Sequence, residues 1–208
     1  MRDSGRCLMR RPLTWLILLS LASGVAAFPA LAREKARISE LTLMVDEESV
    51  WVSFFVDNCF SPTIEKIIQS GVPANLTFFV KLHRTRALWK DKRLAFIEMT
   101  RRIHYDNIKK EYQIFMQEPS PPVVIKDFLE AKDTVARVEN MWVTPWKPLR
   151  AEKAYYVSVR AELEPIGVPF HLKNLLFFVP SGKTKTDWLV QRFRIGSFVV
   201  PKQTESAR

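Results

Sequence analysis

The chain has 208 residues, with 32 Lys and Arg against 22 Asp and Glu, a net charge of +10, and only two cysteines and six glycines. So few glycines leave no glycine-rich phosphate loop, and the single cysteine beyond residue 32 leaves no internal disulfide, so the fold must rest on its apolar core.

At the N-terminus, Arg2, Arg6, Arg10 and Arg11 precede an apolar run from Leu13 to Ala27 that leads into Ala30-Leu31-Ala32. Cationic, apolar and small residues in that order form an export signal. As a helix, about 15 residues at roughly 1.5 Å each reach about 22 Å, short of a bilayer core of about 30 Å. Residues 1–32 therefore read as a cleavable Sec-type signal peptide, with an uncleaved inner-membrane anchor as the alternative. Residues 33–208 read as a single exported β-rich domain in the periplasm of a Gram-negative cell. Cys7 precedes the apolar run and is not placed for lipidation. Beyond residue 32 the chain keeps 28 basic and 21 acidic residues, a net charge of +7, and Cys59 becomes its only cysteine. Cys59 reads as a small buried hydrophobe at a strand end.

Most of the chain beyond residue 32 alternates with period two. Leu41, Leu43 and Val45, the acidic turn Asp46-Glu47-Glu48-Ser49, then Val50, Val52, Phe54 and Val56 predict a hairpin. Ser61-Pro62 opens a helix of two turns that stops at Gly71, a capping residue followed by proline at the first helical position. Leu76, Phe78, Val80 and Leu82 predict a third strand. Ala95, Ile97, Met99 and Ile103 predict a fourth, and Ile108, Tyr112, Ile114 and Met116 a fifth. Short turns at Lys90-Asp91-Lys92 and Asp106-Asn107 join these three as a meander. After Pro121-Pro122 a second helix sets Ile125, Phe128, Leu129, Val135 and Val138 along one side and Lys126, Asp127, Glu130 and Lys132 on the other. Tyr155, Val157, Val159, Ala161 and Leu163 form the cleanest late strand, and Trp188 to Ile195 supplies the last. The expected fold is mainly β, an antiparallel β-sandwich or strongly curved sheet with two short helices, with α+β as the alternative.

Ser70-Gly71-Val72-Pro73, a strand, Arg84-x-Arg86-x-x-Trp89, then Tyr105-Asp106 and Tyr112 follow one another in an order that resembles the bacterial exported family known as domain of unknown function 4390. Phe128-Leu129-Glu130-Ala131, Tyr156-x-x-Val159-Arg160 and Val168-Pro169 are similar to that family's second half, whereas Phe170-His171 departs from it. The resemblance implies a secreted or periplasmic protein without an assigned reaction. In some bacteria, it further implies, members are encoded beside a membrane sensor kinase of nitrogen-regulation type.

Motifs of catalysis are absent from the sequence. His83, His104 and His171 stand apart from any second ligand at metal-site spacing, there is no G-x-S-x-G elbow, and Asp46-Glu47-Glu48 reads as a solvated turn rather than a calcium loop. No catalytic residue, metal ligand or cofactor is assigned. Charge is the feature that stands out: eight basic residues lie between Lys81 and Arg102 against Asp91 and Glu98, +6 on one predicted hairpin. Arg84, Arg86, Trp89, Lys92, Arg93, Arg101 and Arg102 are therefore the candidate binding residues, since clustered charge attracts counter-charge over about a Debye length. The bland alternative is a solvated hairpin whose charges discourage edge pairing. Two function classes stay open. One is a non-enzymatic envelope accessory docking on an anionic membrane surface, an inner-membrane sensor kinase or another envelope protein. The other is a hydrolase of envelope material with a site assembled from distant residues. Nucleic acid is opposed by the export signal.

Overall fold

Strand β2 (Ser49–Asp57) buries every second residue, Val50, Val52, Phe54 and Val56, and in β3 (Ala74–Arg84) Ala74, Leu76, Phe78, Val80 and Leu82 do the same. These runs come from two different sheets, and Phe54 meets Phe78 edge-on with ring centroids 5.6 Å apart. A computed structural model of the chain describes residues 35–45, 49–117, 119–145, 149–150, 153–169 and 183–194. The leader, the acidic turn 46–48, His171 and Ile195 lie outside the described residues.

The small sheet has the order β1-β2-β7, with β1 spanning Arg37–Val45 and β7 Arg137–Pro145. The large sheet runs β10-β8-β3-β4-β5-β6. Its remaining strands are β4 (Lys92–Asp106), β5 (Glu111–Phe115), β6 (Val123–Ile125), β8 (Ala154–Pro165) and β10 (Leu189–Arg194), and the short β9 (Thr184–Lys185) pairs with β8. All the pairings are antiparallel, and buried residues of both sheets form one hydrophobic cluster. This is the mainly β architecture with two helices that the periodicity predicts, including the β3-β4-β5 meander.

Helix α1 (Pro62–Gln69) begins where its sequence signal places it. Ser61 Oγ accepts from the Ile64 N–H at 3.3 Å, proline occupies the first turn, and Ile64, Ile67 and Ile68 are buried. Gly71 stops it with φ +89°, a conformation that costs L side chains, and an added Cβ would come within 2.5 Å of Asn107 Nδ2.

The second helix differs from its expectation at both ends. Helix α2 spans Phe128–Ala136, because Asp127, expected on its polar side, is instead the N-cap whose Oδ1 accepts from the Glu130 N–H at 2.9 Å. Ile125 lies in β6, Val138 in β7, and Leu129 is exposed, so none of them lines the buried side of α2, which consists of Ala131, Val135 and Ala136. The helix gives way directly to β7, a strand that periodicity did not mark. Its register against β2 shifts twice, and Asn140 takes φ +48°, so the alternation that would advertise the strand is broken. Ile108 sits in the turn before β5 and is 93% exposed, outside the strand expected to include it.

Candidate functional site

Strands β3 and β4 form one long hairpin whose far end, residues 85–91, lies past the last paired residues Arg84 and Lys92. Arg84 ends β3 in register with Lys92 and with Tyr155 of β8. It continues the inward-facing series of Leu82 and is half-buried, whereas Lys90, Lys92 and Arg93 are exposed and Arg86 is half-buried. Between them Leu88 is 95% and Trp89 77% exposed.

Asp91 organises this end. Its Oδ1 accepts from the Arg86 N–H at 3.1 Å, and its Oδ2 accepts from the Tyr156 hydroxyl, also at 3.1 Å, while the Thr85 N–H donates to the Ala154 carbonyl at 2.9 Å. The turn is thereby fastened both to itself and to β8. Burial first, and then the hydrogen bond to Asp91, raises the Tyr156 hydroxyl above the ordinary phenol range. Tyr156 also stacks on His83, ring centroids 4.9 Å apart. Burial and the nearby Lys81 charge push the His83 pKa below its ordinary value, against the opposing pull of Asp91.

Some cations elsewhere have carboxylates, Arg37 with Asp57, Lys109 with Glu111, Arg137 with Glu40, Lys183 with Glu164, and Lys185 and Arg160 with Glu162, whereas exposed Lys66, Lys110, Lys126 and Arg192, scattered over the surface, form no ion pair among the described residues. Among the described residues, Arg84, Arg86, Lys90, Lys92 and Arg93 form no ion pair. Of these, Lys90, Lys92 and Arg93 are exposed to solvent, while Arg84 and Arg86 are half-buried.

Arg101 does not belong to this group. It occupies the inward-facing slot between Met99 and Ile103, and its Nη1 donates to the carbonyls of Thr134 at 3.2 Å and Val135 at 3.1 Å, and to that of Arg137. Those carbonyls close the last turn of α2, which lacks onward helical donors, so Arg101 caps the helix and meets the negative end of its dipole. The guanidinium also lies 5.6 Å from the Phe78 ring, and burial lowers its pKa from the ordinary arginine value. Arg102 points to the outer face and donates to Asn75 Oδ1 at 3.4 Å. Both lie roughly 30 Å along the strand from the tip, at about 3.3 Å per residue. The structure therefore brings together Arg84, Arg86, Trp89, Lys92 and Arg93, and sets Arg101 and Arg102 apart.

The outer face of the large sheet carries a second cationic array that sequence reading missed. Arg160 lies between Phe79 and Trp188, 5.3 and 4.8 Å from their centroids, and Lys81 sits 4.1 Å over Trp188. Phe79 stacks on Phe96 at 6.4 Å, and Arg93 reaches the same Phe96 ring at 5.7 Å. The signal was present in the alternation itself, which puts Phe79 and Lys81 on the face opposite Phe78 and Val80.

Chemistry for catalysis is sparse by comparison. An open groove of about 330 Å³ is lined by Lys35 to Ile38 and Asp187 to Leu189, and another of about 280 Å³ holds Glu40, Ser53 and Glu139 without a histidine. Cys59 borders a third of about 200 Å³, but its buried thiol is pushed up to about 12, chiefly by desolvation, and leaves almost no thiolate near neutrality. Among the described residues, no three His, Cys, Asp or Glu side chains are grouped to hold a metal ion, and no helix is long and apolar enough to cross a membrane.

Comparison with curated proteins and with solved structures finds no significant match. One family model, described as domain of unknown function (DUF4390), matches residues 33–192, a span that holds the whole hairpin, both helices and the first four residues of β10. The chain belongs to the DUF4390 family.

Proposed function

We propose that this protein is a non-enzymatic accessory of the cell envelope, exported to the periplasm, that docks on an anionic surface through the end of its long hairpin. One observation carries the reading: five cations without carboxylate partners surround an exposed Leu88-Trp89 pair on a turn that Asp91 holds in shape. Unpaired charge at the end of a hairpin keeps its field for a partner, and a turn already ordered loses little entropy on binding. Export is supported by the leader and by a family match that begins at Arg33, the residue after the expected processing site.

Co-sedimentation with vesicles tests the docking. Wild-type protein should bind vesicles containing phosphatidylglycerol, bind phosphatidylcholine vesicles poorly, and lose binding as salt rises from low to physiological levels. Replacing Arg84, Arg86, Lys92 and Arg93 with Gln should weaken binding roughly several hundredfold at low salt, at about fivefold per charge, with the circular dichroism spectrum unchanged. Salt-independent binding, or equal binding by this variant, would refute the reading. Export is tested separately: sequencing of the periplasmic protein should begin at Phe28 or Arg33, and Met1 or Arg2 in the membrane pellet would make the leader an anchor.

A further inference from the structure

The tip of the hairpin is more than a charged surface. Leu88 is the most exposed of the large apolar side chains among the described residues, and Trp89 follows it directly. A solvated turn gains nothing by exposing an adjacent leucine and tryptophan, whereas the boundary between headgroups and acyl chains suits both: leucine enters hydrocarbon, and the indole keeps its N–H among polar groups. The cations flank this pair on both sides, Arg86 before it and Lys90, Lys92 and Arg93 after it, all within five residues of Leu88. The turn at the opposite end of β4 supplies the contrast. Ile108 is almost as exposed, at 93%, but it stands alone, with Lys109 paired to Glu111 and the Ile108 and Lys109 amides both bound by Asp106.

We propose that Leu88 and Trp89 insert into the interfacial layer of an anionic phospholipid bilayer while Arg86, Lys90, Lys92 and Arg93 contact the headgroup phosphates. The inference rests on the docking reading above and goes beyond it by committing to lipid and to penetration. A two-residue tip reaches only about 5 Å below the phosphates, so the attachment is peripheral and reversible. An acidic protein partner would match the cations but leave the apolar pair without its solvent.

The test uses full-length protein carrying Cys7→Ser and Leu88→Cys, labelled at position 88 with an environment-sensitive fluorophore; buried Cys59 stays unlabelled in the folded state. On vesicles of phosphatidylethanolamine and phosphatidylglycerol, emission should shift to the blue and be quenched by lipids brominated near the headgroup end of their acyl chains. The same label at Ile108→Cys should keep its emission in water. Because the readout is local, attachment through the N-terminal segment cannot imitate it. Trp89→Ser should weaken vesicle binding about tenfold without changing its salt dependence, and Ile108→Ser should leave binding unchanged. A water-like signal at position 88 on protein bound in a salt-sensitive manner would overturn insertion while sparing electrostatic docking. Loss of vesicle binding altogether, with salt-sensitive cross-linking to an inner-membrane protein instead, would overturn insertion and redirect the docking to an acidic protein.

Discussion

Arg101 and Lys92 lie on the same strand and carry the same charge, yet their surroundings give them opposite roles. Arg101 faces inward and satisfies main-chain carbonyls at the end of α2, whereas Lys92 faces solvent at the tip. Arg101→Gln should therefore destabilise the fold by about 2 to 3 kcal/mol, because buried carbonyls lose a charged donor. Arg101→Lys should recover only part of this, since an ammonium cannot reproduce the guanidinium fork. Lys92→Gln should cost less than about 0.5 kcal/mol. Urea denaturation of the three variants checks the order. Sequence could not separate these residues, because a cation at an inward position of an alternating strand reads as an interruption of the apolar series until the helix it caps is in place. Cys59, in contrast, was legible as a buried hydrophobe, and the structure shows a free thiol 2% exposed, with Sγ donating to the Val56 carbonyl at 3.8 Å. Its pKa rises from 9.0 to about 12 on folding, so the folded protein keeps a proton that the unfolded chain releases above pH 9. The stability from this group is complete below about pH 9 and lost as pH climbs toward 12, by up to about 1.4 kcal/mol per unit. Urea midpoints at about pH 8 and about pH 10.5 should fall further for wild type than for Cys59→Ala. Equal falls would show that the thiol ionises freely.

At the scale of elements, strands with clean alternation were readable and those with bulges were not. β2, β3 and β8 bury every second residue over most of their length, but β7 shifts register twice against β2 and its bulged Asn140 breaks the period. The helix ends followed their caps. Ser61-Pro62 marks a start in the sequence, while the apolar spacing of Ile125 and Val138 extends the helical period into flanking strands and so draws Asp127 onto a helix face. The stop at Gly71 rests on backbone conformation more than on space, since its φ is +89° and the atom nearest an added Cβ belongs to the flexible end of Asn107. Gly71→Ala should cost about 1 to 2 kcal/mol, and adding Asn107→Ala should restore only a small part of it. Full rescue by the second substitution would mean that the clash, not the backbone, sets the cost. The tip has its own internal check. Asp91→Ala removes the acceptor shared by the Arg86 N–H and the Tyr156 hydroxyl, so residues 85–91 should exchange amide hydrogens faster while β3 and β4 keep their protection.

Across the whole molecule, the basic segment that the sequence presents as one patch divides into three. Arg101 braces α2, while Lys81 and Arg93 lie against aromatic rings on the outer face of the large sheet, as does Arg160 from β8. The end of the hairpin keeps cations without carboxylates beside its exposed apolar pair. Arg93 serves both the outer face and the tip. Sequence located the charge but not this division, which depends on register: a strand separates alternate residues onto opposite faces and residues nine apart by roughly 30 Å. The central claim is that the tip cations bind and Arg101 supports the fold. Its most direct test is a paired measurement of melting temperature and anionic-vesicle binding on two proteins, one with Arg84, Arg86, Lys92 and Arg93 replaced by Gln and the other carrying Arg101→Gln. The first should melt like wild type and lose salt-sensitive binding, and the second should melt several degrees lower yet bind like wild type below its transition. Loss of binding by the Arg101→Gln protein while still folded, or undiminished binding by the fourfold variant, would contradict the account.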